Sequence, residues 1–376
     1  MRIAIIGSVG VPGGYGGFET LADHLVQQHE AQAIEVELTV YCSAKAFSER
    51  PARYRRAALR YLGLDANGAQ SILYDALSLI DAVRSGHNAL LLLGVSGALA
   101  LPLLRVFSRA RIVVNIDGLE WKRDKWSRPA RWLLKFSERL AVRFSHAVIA
   151  DNLGIAEHVK RAYGVKADII EYGGDHAVAL PPEDLPELPG LPETYALALC
   201  RIEPENNVEM ILEAYDRARA PLVFVGNWER SDYGRALHAV YANKSWITLM
   251  NPVYDPAMLQ SIRRGAAIYV HGHSAGGTNP ALVEMMHFGV PVLAFDCIYN
   301  RYTTEGHAGF FASTDELHAL VAGGPDGRGP QDHHDQGDAL REIARKRYNW
   351  ATIAEKYYVL LRIVTGNGEP EMAHDD

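Results

Sequence analysis

Short apolar runs alternate with amphipathic stretches of helix length along this chain, and they do so in two series. The strand candidates of the first series are residues 2–6, 35–41, 89–93, 112–115, 147–150 and 169–171. Those of the second are residues 195–200, 222–225, 247–249, 268–271 and 291–294. Several are unbroken runs of Val, Ile, Leu and Ala, which suits strands buried on both faces, and that requires helices above and below a parallel sheet. Between the series, Leu-Pro-Pro-Glu-Asp-Leu-Pro-Glu-Leu-Pro-Gly-Leu-Pro removes backbone donors and biases the residues before each proline toward extended geometry. This stretch reads as a linker. The organisation expected is a first domain over 1–178, a Pro-rich linker over 179–193, a second domain over 194–348, and a last segment over 349–376. That last segment is a helix that crosses back to the first domain and ends in a frayed tail.

Bulk properties exclude several classes. A chain of 376 residues with 48% hydrophobic residues is long enough for two cores. A formal net charge of -7 argues against a surface built as a whole for nucleic acid, so any basic patch is local. Cys42, Cys200 and Cys297 are far apart and lack metal-ligand spacing, the pattern of buried thiols in a reducing cytoplasm. The initial Ile-Ala-Ile-Ile run is too short for a secretory segment and leads straight into glycines. The longest apolar stretch, 89–107, is interrupted by Gly94, Ser96, Gly97, Pro102 and Arg105, so it reads as strand, turn and helix rather than as a membrane span. The expectation is a soluble cytoplasmic protein. Residues 323–337 read as a surface loop in which His333 and His334 lack the supporting ligands of a metal site.

Four segments carry chemistry. The glycine-rich loop 7–20 follows the first strand and precedes a helix, where backbone N–H groups approach an anion; Gly16 and Gly17 are its donor-binding candidates. The spacing of a dinucleotide fingerprint is absent. In the second half, Gly276, Gly277, Thr278 and Asn279 form a turn before Pro280, which suits the first turn of a helix. Glu284 follows one turn later and can accept from a ribose diol, or else lie on a solvated face. Arg201, with Asn206 and Asn207 close behind, follows the first strand of the second series. Its guanidinium suits a leaving diphosphate, the alternative being an ion pair with Glu203 or Glu205. In the first half, Asp117 and Glu120 follow a strand, where a carboxylate can orient an acceptor hydroxyl, or cap a helix in the case of Asp117. From Trp121 to Arg143, bases and tryptophans predominate over only Asp124 and Glu138. That pattern fits a helix resting on anionic lipid as well as one covering a sheet with long basic stems.

Together these motifs resemble glycosyltransferase family 4, and within it the bacterial rhamnosyltransferase-like branch. The resemblance rests on 15–20 (Tyr-Gly-Gly-Phe-Glu-Thr), 117–123 (Asp-Gly-Leu-Glu-Trp-Lys-Arg), 171–175 (Glu-Tyr-Gly-Gly-Asp), 201–207 and 276–284. It implies an α/β GT-B fold, two Rossmann-like doubly wound domains facing each other across a cleft, and a metal-independent transferase that retains anomeric configuration. The implied catalytic residues are Asp117 and Arg201. Donor contacts fall to Gly16, Gly17, Arg201, Asn206, Asn207, Gly276, Gly277, Thr278, Asn279 and Glu284. Acceptor contacts fall to Tyr15, Phe18, Glu120, Trp121, Lys122 and Arg123. No cofactor is implied beyond the nucleotide-sugar donor, for which dTDP-L-rhamnose is expected, and no nucleic acid partner. The acceptor is a saccharide or a lipid-pyrophosphate-linked saccharide in surface polysaccharide synthesis, with peripheral contact at the inner face of the plasma membrane. Two positions depart from the family pattern: Gly276 stands where the first Glu of a Glu-x7-Glu pair would be, and the Lys expected near Asn206 is missing. Another UDP- or GDP-sugar donor, a sugar-nucleotide epimerase and a silent binding subunit are the competing readings.

Overall fold

A computed structural model of the chain describes residues 1–366 apart from 15, 117, 119, 120, 122–126 and 324–333. The chain divides into two compact units, 1–171 with 350–376, and 172–349.

The first unit is built on β1 (Arg2–Ile6), β2 (Glu37–Ser43), β3 (Arg53–Tyr54), β4 (Ala57–Leu62), β5 (Ala89–Leu93), β6 (Arg111–Ile116), β7 (Ala147–Ala150) and β8 (Asp168–Ile169). They form one sheet in the order β3-β4-β2-β1-β5-β6-β7-β8, parallel except for the short β3–β4 pair. Ile3 pairs with Ala89 and Ile5 with Leu91, so the buried strands β1 and β5 share the centre of the sheet. Its helices are α1 (Gly17–Ala31), α2 (Ser71–Arg84), α3 (Leu101–Phe107), α4 (Arg128–Phe144) and α5 (Leu153–Tyr163). Asn152 caps α5 by accepting from the Gly154 N–H at 3.0 Å, and Gly164 closes that helix in the left-handed region at φ 69°.

The second unit holds β9 (Tyr195–Leu199), β10 (Leu222–Val225), β11 (Ile247–Met250), β12 (Ala266–His271), β13 (Val292–Phe295) and β14 (Gly309–Phe311) in the order β11-β10-β9-β12-β13-β14, with every adjacent pair parallel. Its helices are α6 (Val208–Ala218), α7 (Asp232–Tyr241), α8 (Pro256–Arg264), α9 (Pro280–Met286), α10 (Ile298–Thr303), α11 (Thr314–Val321) and α12 (His334–Arg347). Trp228, Tyr215, Phe224 and Phe311 fill the core under α6 and α11. The last helix, α13 (Trp350–Thr365), belongs to the first unit: Trp350 stacks on His24 with ring centroids 4.3 Å apart, and the Tyr358 hydroxyl donates to the Leu25 carbonyl at 2.9 Å.

Two features differ from the sequence expectation. β3, β4 and β14 are not among the sequence expectations: the first two, at the sheet edge, each carry one arginine and flank Arg55 and Arg56 in the turn between them, charge of the kind that protects an edge. The Pro-rich stretch 179–193 lies within the second unit, and it is pinned there. Prolines supply no backbone donor, so side chains of α8 serve instead. Gln260 exchanges both hydrogen bonds with the Leu180 backbone, at 3.1 and 2.7 Å, and the Ser261 hydroxyl donates to the Pro186 carbonyl at 2.9 Å.

One buried group makes the first unit sensitive to pH. Asp75 of α2 is buried, and its Oδ1 has no partner among the described residues. Burial pushes its carboxyl up to about 8, and a hydrogen bond from the Gly97 backbone offsets this only in part. The folded state therefore holds a proton that the unfolded chain releases near pH 4, so stability is full below that value and falls as pH rises toward 8. Asp75→Asn is expected to remove a slope of up to ~1.4 kcal/mol per pH unit across that window, measured by denaturation at pH 5 and pH 8. Equal slopes in both proteins would remove Asp75 as its source.

Candidate functional site

In an open parallel sheet, polar loops gather beyond the strand C-termini, and a crevice forms where strand order reverses. In the second unit the reversal lies between β9 and β12, so the two loops that meet there are 200–207 and 272–279. The chain stitches them together. Asn207 Nδ2 donates to the Gly272 carbonyl at 2.8 Å, His273 Nδ1 meets Asn206 Oδ1 at 2.6 Å, and Ser274 donates to the Glu205 carbonyl from both its N–H, at 3.1 Å, and its hydroxyl, at 2.8 Å. A Cβ at Gly272 would stand 2.1 Å from the Asn206 carbonyl oxygen, so only glycine admits this approach. Asn207 sits in the left-handed region at φ 50°, which Asn tolerates better than most residues.

Within this frame the sequence candidates take distinct positions. Arg201 emerges at the end of β9, partly exposed, with its Nε 3.7 Å from Glu203. A partly exposed pair at that distance contributes ~0–1 kcal/mol, too little to hold the guanidinium from an arriving diphosphate. Asn206 is buried, and its Nδ2 donates to the Arg201 carbonyl at 2.7 Å; together with the His273 contact this occupies both ends of the amide. Asn206 and Asn207 therefore hold the loops. Gly276 adopts φ 128°, a conformation that strains other residues, next to the His273 ring. Thr278 is buried, and Asn279 caps α9 by accepting from the Ala281 N–H at 3.0 Å, with Pro280 in the first turn.

Glu284 is buried rather than on a solvated face. It pairs with the buried Arg263 of α8 and, at 3.3 Å, with His176 Nε2. Burial acts to raise its carboxyl, but Arg263 and then His176 outweigh that and hold it below the ordinary carboxylate value. α9 reaches this position because Gly174 lets it: a Cβ there would meet the Val283 carbonyl and the Glu284 N–H at 2.8 Å.

His271, the last residue of β12, was not singled out in the sequence. It is buried, and its Nδ1 lies 3.2 Å from the Tyr269 hydroxyl. Its Nε2 has no partner among the described residues. Burial, helped by neighbouring His273, lowers its pKa far enough that the ring is neutral at pH 7. A buried unpaired ring nitrogen beside the reversal point is the group a ligand hydroxyl would satisfy.

In the first unit the strand order reverses between β2 and β5 around β1, which places the loop after β1 at the corresponding point. Gly16 adopts φ 141° with the Glu19 carboxylate folded against it, and Glu19 Oε1 accepts from the Val9 N–H at 2.9 Å. Gly17 starts α1 with open space around its Cα, and the Phe18 ring lies against Gly94. Trp121 is anchored: its indole N–H donates to Glu138 at 2.9 Å, and Lys135 Nζ stands 4.9 Å above its ring. Glu138 is buried and also meets His158 Nε2 at 2.9 Å and the Tyr163 hydroxyl at 2.7 Å. Tyr15, Asp117, Glu120, Lys122, Arg123 and His333 lie outside the described residues. Among the described residues no three His, Cys, Asp or Glu side chains gather as a metal cluster, and no helix is long and apolar enough to cross a membrane.

Comparison with known proteins bears on both units. Residues 193–323 match the family described as Glycosyl transferases group 1, and residues 1–175 match a domain of unknown function, DUF1972. No curated protein matches the chain. Among solved structures it is similar to sucrose-phosphate synthase from Thermosynechococcus elongatus, at 17% identity and a TM-score of 0.78 over 98% of this chain and 100% of that one. It is similar to Anabaena HepE in complex with UDP, at 14% identity and a TM-score of 0.69 over 96% and 100%. A putative UDP-N-acetylglucosamine 2-epimerase from Listeria monocytogenes aligns at 14% identity and a TM-score of 0.65 over 98% and 97%. The two Rossmann-like sheets are thus those of the GT-B fold, and residues 193–323 of the second unit are similar to the Glycosyl transferases group 1 family.

The buried pair in α8 and α9 allows a direct test. Glu284→Gln leaves Arg263 buried without its counter-charge, which is expected to cost ~3–5 kcal/mol at pH 7 in urea denaturation. Because the folded carboxyl is held low, its contribution is present above pH ~4.5 and lost as pH falls through the folded value, so wild type and variant should converge in acid. Destabilisation that does not depend on pH would mean the charge pair is not its cause.

Proposed function

We propose that this chain, whose residues 193–323 fall in the Glycosyl transferases group 1 family, moves a sugar from a nucleoside diphosphate donor to a saccharide or lipid-pyrophosphate-linked saccharide acceptor. The observation that carries the proposal is the convergence of that family match with the stitched loops at the sheet reversal, where Arg201, the 276–279 turn and the unpaired His271 ring nitrogen come together in one unit. The UDP held by HepE, a protein of the same fold, supports a nucleotide-sugar donor.

The reaction is a retaining, metal-independent transfer with no cofactor beyond the donor. The acceptor oxygen forms a bond to the anomeric carbon on the face from which the diphosphate departs, the carbon–oxygen bond to the diphosphate breaks, and the departing phosphate oxygen takes the acceptor proton. Arg201 offsets the charge that develops on the leaving group. The backbone N–H groups of Gly276, Gly277, Thr278 and Asn279 line the donor. Because Glu284 is already paired, its part is to fix α9 and to present the rim of its carboxylate to the ribose. Asp117 orients the acceptor hydroxyl, and Tyr15, Phe18, Glu120, Trp121, Lys122 and Arg123 bind the acceptor.

The favoured donor is dTDP-L-rhamnose. Gly276 in place of a carboxylate removes one acceptor of sugar hydroxyl hydrogen bonds, which suits a deoxysugar. The setting is the synthesis of bacterial surface polysaccharide at the inner face of the plasma membrane.

Thermal shift with dTDP-rhamnose, UDP-sugars and GDP-sugars, without added metal, tests the donor, because a ligand that binds only the folded state stabilises it by mass action. Preferential stabilisation by dTDP-rhamnose is expected. Preference for another donor would keep the transferase and overturn the sugar. Arg201→Ala is expected to lower turnover ~10²-fold or more with melting unchanged, and full turnover in the folded variant would end that role. Incubation of the donor without acceptor separates transfer from epimerisation, since only an epimerase alters the donor sugar.

A further inference from the structure

The outer faces of α3 and α4 break the rule that surface helices turn polar side chains to water. β5, β6 and β7 follow one another across the sheet in the same direction. Right-handed crossovers therefore put α3 and α4 side by side on one face of it. On the 96–107 segment the exposed positions include Leu99, Leu103, Val106 and Phe107, the last three 63%, 75% and 82% exposed. On α4, Trp132 and Phe136 are 69% and 40% exposed, one turn apart, with their rings stacked 5.6 Å between centroids at 2°. No partner chain is needed to explain an isolated exposed leucine, but six large apolar side chains on two adjacent helices and the turn that leads into the first form a patch of the kind that marks an interaction surface.

The charges exposed on these two helices have one sign. Arg105 and Arg109 are exposed beside Phe107, and the exposed positions of α4 are completed by Arg128, Lys135, Arg139 and Arg143 together with Ser127 and Pro129 next to its start. The one acid of α4, Glu138, is buried and accepts from Trp121, His158 and Tyr163. Residues 82–116 contain no Asp or Glu at all. In a chain of net charge -7 this concentration of cations is local, and it surrounds apolar and aromatic side chains rather than a polar groove.

We propose that the outer face of α3 and α4 is a membrane-docking surface that takes a bilayer rich in anionic phospholipid. It rests on the peripheral placement proposed above and names the surface that provides it. Phe107, Val106, Leu103, Trp132 and Phe136 enter the boundary between headgroups and acyl chains, and the arginines and Lys135 meet lipid phosphates around them. The long stems of Arg and Lys lie along the apolar side chains while their charges reach the headgroups. A protein partner fits less well, because protein interfaces are depleted in Lys and pair opposite charges, whereas this face offers one sign only.

The test is co-sedimentation of the full chain with vesicles of phosphatidylcholine alone and of phosphatidylcholine mixed with phosphatidylglycerol. Binding to the anionic vesicles, weakened by salt, is expected, with little binding to the neutral ones. Replacing two cations, Arg139→Gln with Arg143→Gln, should weaken it roughly 30-fold. Phe107→Ser with Trp132→Ser should abolish it while melting temperature and donor-induced stabilisation are kept. Absent vesicle binding, or binding that neither double variant changes, overturns the proposal; so does concentration-dependent self-association that Phe107→Ser with Trp132→Ser removes in the absence of lipid binding. Absence of vesicle binding by the unaltered chain, with its donor stabilisation intact, sinks the docking surface alone, whereas vesicle binding without any donor stabilisation sinks the transferase reading alone.

Discussion

The approach of Gly272 to the Asn206 carbonyl is the contact on which the second unit's site depends. Two loops that leave neighbouring parallel strands and lead to opposite sides of the sheet would ordinarily splay into solvent, each keeping its own backbone groups wet. Here the Asn207 amide, the His273 ring and the Ser274 donors tie them together, and the absence of a Cβ at Gly272 allows the ties to close. Each neutral hydrogen bond contributes ~0.5–1.5 kcal/mol net, so the set offsets the cost of ordering a few loop residues but does not greatly exceed it. The consequence bears on the proposed transfer. Arg201 and the 276–279 turn are held in a fixed relation before any ligand arrives, and pre-organised donors are worth more to a developing charge than donors that must first be recruited.

Three buried carboxyl groups show three ways of keeping an acid out of water. Glu284 keeps its charge because Arg263 and His176 face it. Glu138 is satisfied by three donors from Trp121, His158 and Tyr163. Asp75 has one unpaired oxygen and is held toward its neutral form. The first two hold α9 in one unit and Trp121 in the other. Ionised groups with several partners impose geometry, because a displaced partner exposes a buried charge. Asp75 fixes no such element, and it costs stability as pH rises.

The framework was legible from sequence because it rests on local pattern. Strands such as Ala89–Leu93 and Leu222–Val225 read as buried parallel strands from their unbroken apolar character, and glycines marked the turns after β1 and before α9. What escaped depends on distant contacts. Arg263 and Arg264 are adjacent and chemically identical, yet one is buried against Glu284 and the other exposed, and only the packing of α8 on α9 decides which. His271 ends an apolar strand and looks like any core histidine; the missing partner on Nε2 becomes visible only when its neighbours are placed. Asn206 and Asn207 read as ligand donors, but their amides serve the loops themselves, a use that spacing cannot reveal because Gly272 lies far along the chain. The Pro-rich stretch read as a linker for a similar reason: the sequence carries the missing donors, and the structure supplies Gln260 and Ser261 to answer them.

The basic-aromatic segment shows how two readings of one pattern can be separated by burial. A helix that covers a sheet buries its apolar stripe and keeps bases outside, and α4 does so through Ser137, Ala141 and Val142. That role leaves Trp132 and Phe136 unexplained, since both lie on the opposite side among the bases. Apolar area left in water costs about 25 cal/mol per Å², and a large aromatic carries 150–250 Å², so two such rings held outside forgo several kcal/mol that burial would recover. Structural covering alone does not require them. The same cost recurs at Val106 and Phe107 on the neighbouring helix. A phase less polar than water, edged by negative charge, relieves both, and that is the physical description of an anionic bilayer surface.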